Sequence, residues 1–109
     1  MRDEDKPIMI YTTFANEDDA QHMAAQLVAD KLAACVNILP GATSIYRWEG
    51  EIKKEEEAVM LVKSRISRKA RLLQRIGDLH PYATPAIFVI TGDAHGEDYW
   101  QWLKDQTCA

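Results

Sequence analysis

The 109 residues suffice for one hydrophobic core and are too few for two ordinary domains. An apolar share of 47% with 28% charged residues argues against wholesale disorder, and a formal charge of −4 argues against the non-specific nucleic-acid affinity of a basic protein. No apolar run is long enough to cross a bilayer, no basic and hydrophobic leader opens the chain, and the only cysteines, Cys35 and Cys108, stand far apart, so a reducing, cytoplasmic setting is expected.

Residues 1–7 are charged and end in Pro7, the pattern of a frayed tail, which leaves residues 8–109 as a single domain. Ile8 to Phe14 is rich in β-formers and predicts a strand. Asn16 stands where a helix N-cap belongs, followed by Glu17, Asp18 and Asp19 in the first turn, where carboxylates meet unpaired amides. The helix runs to about Lys31, with Ala20, Met23, Ala24, Leu27 and Val28 as its apolar stripe and Gln21, Gln26 and Asp30 on its wet side. His22 reads as a surface residue on its flank.

Ala33 to Leu39 predicts a second strand, interrupted at Pro40-Gly41 and resumed from Thr43 to Trp48. Proline lacks a ladder donor and glycine allows an otherwise strained backbone, so a bend or bulge inside one long strand is expected. Glu49-Gly50 suits a hairpin turn, after which Ile52 and then Ala58 to Lys63 form the return strand. The two runs together make a long arm, charged by Glu49, Glu51, Glu55, Glu56 and Glu57. Ser44, Tyr46 and Trp48 share one face of it. Two large aromatics in an exposed arm imply cover by another subunit.

Ser67 is expected to cap a second helix, whose stripe is Leu72, Leu73, Ile76 and Leu79. Arg65, Arg68, Lys69, Arg71 and Arg75 crowd this segment, either as a solvated face or as a site for an acidic partner or anionic ligand. His80-Pro81-Tyr82 stops the helix, and Ala86 to Thr91 predicts the fourth strand. His95 lies in a polar loop. A short last helix packs Tyr99, Trp102 and Leu103 and leaves Trp100 for a neighbour.

The order β, α, β, β, α, β, α fits an α+β, ferredoxin-like sandwich, in which a strand, helix, strand unit occurs twice and two helices cover one face of a four-stranded antiparallel sheet. The uncovered face favours self-assembly. A doubly wound nucleotide fold is the poorer alternative, because no glycine-rich phosphate loop follows the first strand.

Several residue types carry possible chemistry. Cys35 is either a small buried hydrophobe or a thiolate donor to a soft metal such as copper. His80 either serves the helix end, through its dipole or a last-turn carbonyl, or binds copper or zinc through a neutral imidazole. Tyr82 offers a hydroxyl two residues on. Glu57 and Lys63 have the even spacing of one strand face and suit either a solvated pair or a small-ligand site. No serine elbow or diagnostic triad spacing is present.

The run from Lys31 to Gly50, containing AACVN and WEG, together with Glu57, Lys63, His80-Pro81-Tyr82, Pro85 and the ending Tyr99 to Leu103, closely resembles the CutA divalent-cation tolerance family from Ile8 to Leu103. The resemblance implies a non-enzymatic, ferredoxin-like homotrimer, similar in topology to the P-II signalling proteins, whose arms reach between neighbours. It also implies a link to copper(II) or another divalent transition metal. By position Cys35 and His80 are the implied metal ligands, while Trp48, Glu57, Lys63 and Tyr82 line an intersubunit cleft. The alternative function is a P-II-like signalling module that holds a small ligand or protein partner in that cleft, with Lys63 and Arg47 facing an anion. This chain departs from the family pattern at Ala83 and Ala86, where a longer polar residue and a glutamate are usual, so a carboxylate is missing near the implied site.

Overall fold

The computed structural model describes residues 5–108. The chain forms β1 (Pro7–Phe14), α1 (Glu17–Ala29), β2 (Cys35–Trp48), β3 (Glu51–Arg65), α2 (Lys69–Leu79, preceded by a 3-10 turn at Ile66–Arg68), β4 (Ile87–Thr91) and α3 (Glu97–Gln106). The strands make one antiparallel sheet in the order β2-β3-β1-β4, the arrangement expected from the sequence.

Alternation along β1 and β3 sorts the sheet into two faces. Ile8, Ile10, Thr12 and Phe14 from β1, with Ala58, Met60, Val62 and Ser64 from β3, are buried. Against them lie Ala20, Met23, Ala24 and Leu27 of α1 and Leu72 and Ile76 of α2. Asn16 caps α1 as expected, its side-chain oxygen accepting the Asp19 N–H at 2.9 Å. Val28, assigned to the apolar stripe, is instead 43% exposed, because it falls beyond the arc that meets the sheet.

The opposite face bears Met9 and Tyr11 of β1, Val59, Leu61 and Lys63 of β3, Cys35 and Leu39 of β2, and Phe88 and Ile90 of β4, placed together by register. Phe88 is 64% exposed and Ile90 50%. Among the described residues α3 alone reaches that face, at one end, where Tyr99 and Leu103 lie beside Met9, Lys63 and Ile90.

The arm owes its geometry to two turns. Between Leu39 and Ala42 the register shifts, so that three steps on β2 match two on β3. The extra residue moves the even positions of β2 onto the face that Cys35 and Leu39 occupy before it. Gly41, at φ +73°, supplies the backbone this bulge needs, with the Glu56 carboxylate passing close by. At the tip Glu49 and Gly50 both take positive φ, 50° and 81°, a type I′ pattern that matches strand twist. The arm stretches the molecule to 48 × 23 × 23 Å and raises the radius of gyration to 14.9 Å, against about 13 Å for a compact chain of this length.

Three local expectations change. Ser67 does not cap α2; its N–H and hydroxyl donate to the two oxygens of Asp5, both at 3.0 Å. Arg65 adds a 2.9 Å ion pair to the same carboxylate and also donates to Thr107 Oγ1 at 2.8 Å, joining the chain start to the end of α3. The presumed frayed segment is therefore fixed from Asp5 onward, with Pro7 already in β1, while residues 1–4 lie outside the described residues. In α3 only Leu103 is buried; Tyr99 and Trp102 stack on each other in the open, and Lys104 lies over the Trp100 ring. The helix has too little body beneath it to bury those two rings as well as Leu103.

Candidate functional site

The HPY turn sets the site at the foot of the arm. His80 ends α2, its N–H bonded to the Ile76 carbonyl at 2.9 Å, and the proline after it holds an extended backbone at φ −68°, ψ 131°. This turns the imidazole inward, where it stacks on Phe14 with centroids 4.4 Å apart and planes within 8°. The Tyr82 N–H points at Nδ1 from 3.2 Å, and an N–H can only donate, so Nδ1 is the bare nitrogen. Nε2 then carries the proton and donates to the Thr13 carbonyl at 2.9 Å, with Thr12 Oγ1 at 3.1 Å. Burial pushes the imidazole pKa down and outweighs the upward pull of the Thr13 bond and of the Asp19 and Glu57 charges. His80 is a neutral post with both nitrogens engaged.

Held this way, the chain aims Tyr82 at Glu57, and the phenol donates to Oε2 at 2.7 Å. Burial, the carboxylate bond and the nearby Glu57 charge hold the phenol pKa well above its ordinary value. For Glu57, burial pulls the pKa up, but hydrogen bonds from Ser44, Tyr82 and Thr13, with a smaller contribution from His80, win and keep it below the ordinary carboxylate value. The result is an anion held by the Tyr82 hydroxyl, with the Ser44 and Thr13 hydroxyls nearby, directly beside the bulge. Farther out the pattern repeats: Tyr46 donates to Glu55 Oε1 at 2.7 Å, and Lys53 pairs with Glu51 at 3.1 Å.

The residues singled out from the sequence do not form one group within a chain. Glu57 and Tyr82 meet. Lys63 does share the face of Glu57, since β3 carries no bulge, but six residues at about 3.3 Å each put it about 20 Å away. Trp48 pairs with Glu51 near the tip, about the same distance in the other direction. Cys35 lies directly across from Lys63, and both are level with Met9 on the open face.

Within one chain that register keeps the expected ligands Cys35 and His80 apart. Cys35 is on the face away from the helices, whereas the His80 ring sits on the helix side against Phe14, beside Thr12 and Thr13, at least three residues or about 10 Å farther along β1. The sheet separates them. Among the described residues no three His, Cys, Asp or Glu side chains converge as a metal cage would require.

Sequence reasoning missed the hydroxyl partners of Glu57. Ser44 belongs to the arm and Thr13 to β1, and only register brings them to one carboxylate. It also missed Asp5, whose carboxylate is held below its ordinary pKa because the Ser67 and Arg65 bonds exceed the opposing effect of burial.

Comparison with known proteins gives a consistent picture. The family model described as "CutA1 divalent ion tolerance protein" matches residues 8–106. The divalent-cation tolerance protein CutA of Yersinia pestis is 44% identical over 97 residues, covering 89% of this chain and 82% of that protein, and the CutA of Yersinia pseudotuberculosis matches equally well. The crystal structure of the divalent ion tolerance protein CutA1 from Ehrlichia chaffeensis superposes with a TM-score of 0.92 at 32% identity, over 98% of this chain and 100% of that one. CutA from Synechococcus elongatus gives 0.91 at 36% identity, over 94% and 91%.

Proposed function

The chain belongs to the CutA1 divalent ion tolerance family, and from that premise we propose that it acts as a non-enzymatic homotrimer that takes a divalent transition metal, copper(II) foremost, between its subunits. One observation supports a place for such a site. Cys35, half-buried and level with Lys63, is on the apolar side of the sheet, which α3 touches only at the end near Met9, Lys63 and Ile90, and β2 is an edge strand. A thiolate suits copper, and donors missing from one chain can be completed by a second copy across that face. The trimer reading has its own support. Phe88, Ile90, Leu39, Ile45, Ile52 and Trp48 are each 48% exposed or more, a cost that burial against other copies removes. His80 has no part in this ligand set.

Titration calorimetry with copper(II), on protein reduced beforehand and then freed of reductant under inert gas, tests the proposal. Saturable binding that disappears in Cys35→Ser and survives in His80→Asn, with both variants of native mass in solution, is the expected result. Undiminished affinity in Cys35→Ser overturns it.

A second reading has an observation of its own. The Glu57–Tyr82 pair is pre-formed at the root of the arm, where a neighbouring subunit would complete a cleft for a small ligand or protein partner. Under this reading a ligand screen in the presence of a chelator raises the melting temperature of the parent chain and not of Glu57→Gln. Under the metal reading the chelator abolishes every such shift.

A further inference from the structure

The outer surface of the helices holds a cavity of about 450 Å³, on the side of the sheet away from the open apolar face. Its lining is Asp30, Leu32, Arg71, Gln74, Arg75 and Asp78. One wall is fixed by the end of α1. The Lys31 N–H bonds to the Val28 carbonyl and the Leu32 N–H to the Leu27 carbonyl, a Schellman closure with Lys31 at φ 61°, and this buries Leu32 and leaves Asp30 at the rim. The other wall is one ridge of α2, since residues 71, 74, 75 and 78 recur at helical spacing.

The charges on these walls are ordered. No acidic residue occurs from Ala58 to Gly77, so the cationic end of the ridge at Arg71 has no acidic neighbour within a turn along its own helix. Asp78 is two turns on, about 10 Å along the axis. Between them Arg75 reaches Asp30 only loosely, with 3.6 Å from Nη2 to Oδ2, and its Nε is buried with no hydrogen-bond partner. The Nε itself is sealed from the cavity, but the Nη2 contact to Asp30 is long enough at 3.6 Å to leave room for a better acceptor.

We infer that this cavity binds a small zwitterion with the chemistry of a basic amino acid. Its carboxylate lies on Arg71 and Arg75, its α-ammonium at Asp30 and its distal cation at Asp78. A simple anion meets two carboxylates in the same cavity, and a simple cation meets two guanidinium groups, so only a ligand carrying both signs matches every wall. The site is independent of the metal reading and stays open if copies associate through the apolar face.

The test is a ¹⁵N NMR titration of the full chain in metal-free, low-salt buffer with L-lysine, beside glutarate and 1,5-diaminopentane. Saturable shifts at residues 71–78 and at the Arg75 Nε–H are expected with lysine, at least about tenfold tighter than with either comparator, and about tenfold weaker in Arg71→Gln and in Asp78→Asn, both exposed positions. Three results each overturn the inference: no saturation by about 10 mM lysine, equal binding of glutarate or diaminopentane, or unchanged lysine binding in either variant.

Discussion

The body and the arm are built from the same two strands and obey different physics. From Cys35 to Leu39 and from Ala58 to Arg65, β2 and β3 lie under helices, and their inward side chains are held by neighbours from four elements. Beyond the bulge the same ladder continues with no layer on either side. Ile45 and Ile52, on the face opposite Tyr46 and Trp48, are each 68% exposed. Backbone pairing continues the ladder into the arm, but a two-stranded ribbon with no covering layer is marginal within one chain, because little burial rewards it. The body has a core of its own beneath the helices, and its open sheet face, with Phe88 and Ile90 exposed, shares with the arm the need for contact.

The largest expected effect breaks the body. Phe14→Ala removes a fully buried ring and the surface on which His80 stacks, so denaturant unfolding should show a loss of about 3–5 kcal/mol. A loss under 1 kcal/mol would mean that the Phe14 and His80 stack is not part of the cooperative core.

A smaller effect sharpens the border between body and arm through pH. The folded pKa of His80 lies below its ordinary 6.5, so the unfolded chain binds the extra proton first; stability is full above 6.5 and falls as pH drops toward the folded value. Glu57 has a folded pKa below its ordinary 4.5, so its contribution is present above 4.5 and is lost as pH falls through the folded value. Acid should weaken the protein in two stages. His80→Asn flattens the upper one, and Glu57→Gln reduces the lower one, in chemical unfolding followed from pH 7 to pH 3. Tyr82→Phe leaves the Glu57 carboxylate one donor short, and about 1 kcal/mol should be lost at neutral pH.

The smallest effect on folding belongs to the arm. Ile45→Ser and Ile52→Ser should change the unfolding free energy of an isolated chain by no more than about 0.5 kcal/mol. In the proposed trimer they instead make the melting temperature depend more steeply on protein concentration, which separates intrinsic stability from assembly. Equal melting curves at low and high concentration for parent and variants would deny the arm any role in association.

The body was readable in the sequence because each element carries a local signal: alternation for β1, Asn16 for the start of α1, Pro40-Gly41 for the bulge, His80-Pro81 for the end of α2. The bulge could be anticipated, but its consequence for side-chain parity needs the register with β3. Ser67 looked like a cap because capping is judged from near neighbours, whereas Asp5, more than sixty residues away, takes both of its donors. The site shows the same limit more sharply. Glu57 and Tyr82 were assigned to one cleft and do meet, while Cys35 and His80 were paired through family resemblance and lie on opposite sides of the sheet within one chain. Which face a strand residue occupies depends on its partner strand, and no spacing within one segment encodes it.

The most direct test of the account is the anomalous diffraction of crystals of the assembled protein soaked with copper(II). The account places the metal at the Cys35 thiolate, on the open sheet face, with its remaining donors from a second copy. A peak at the His80 imidazole with every donor from one chain would contradict it.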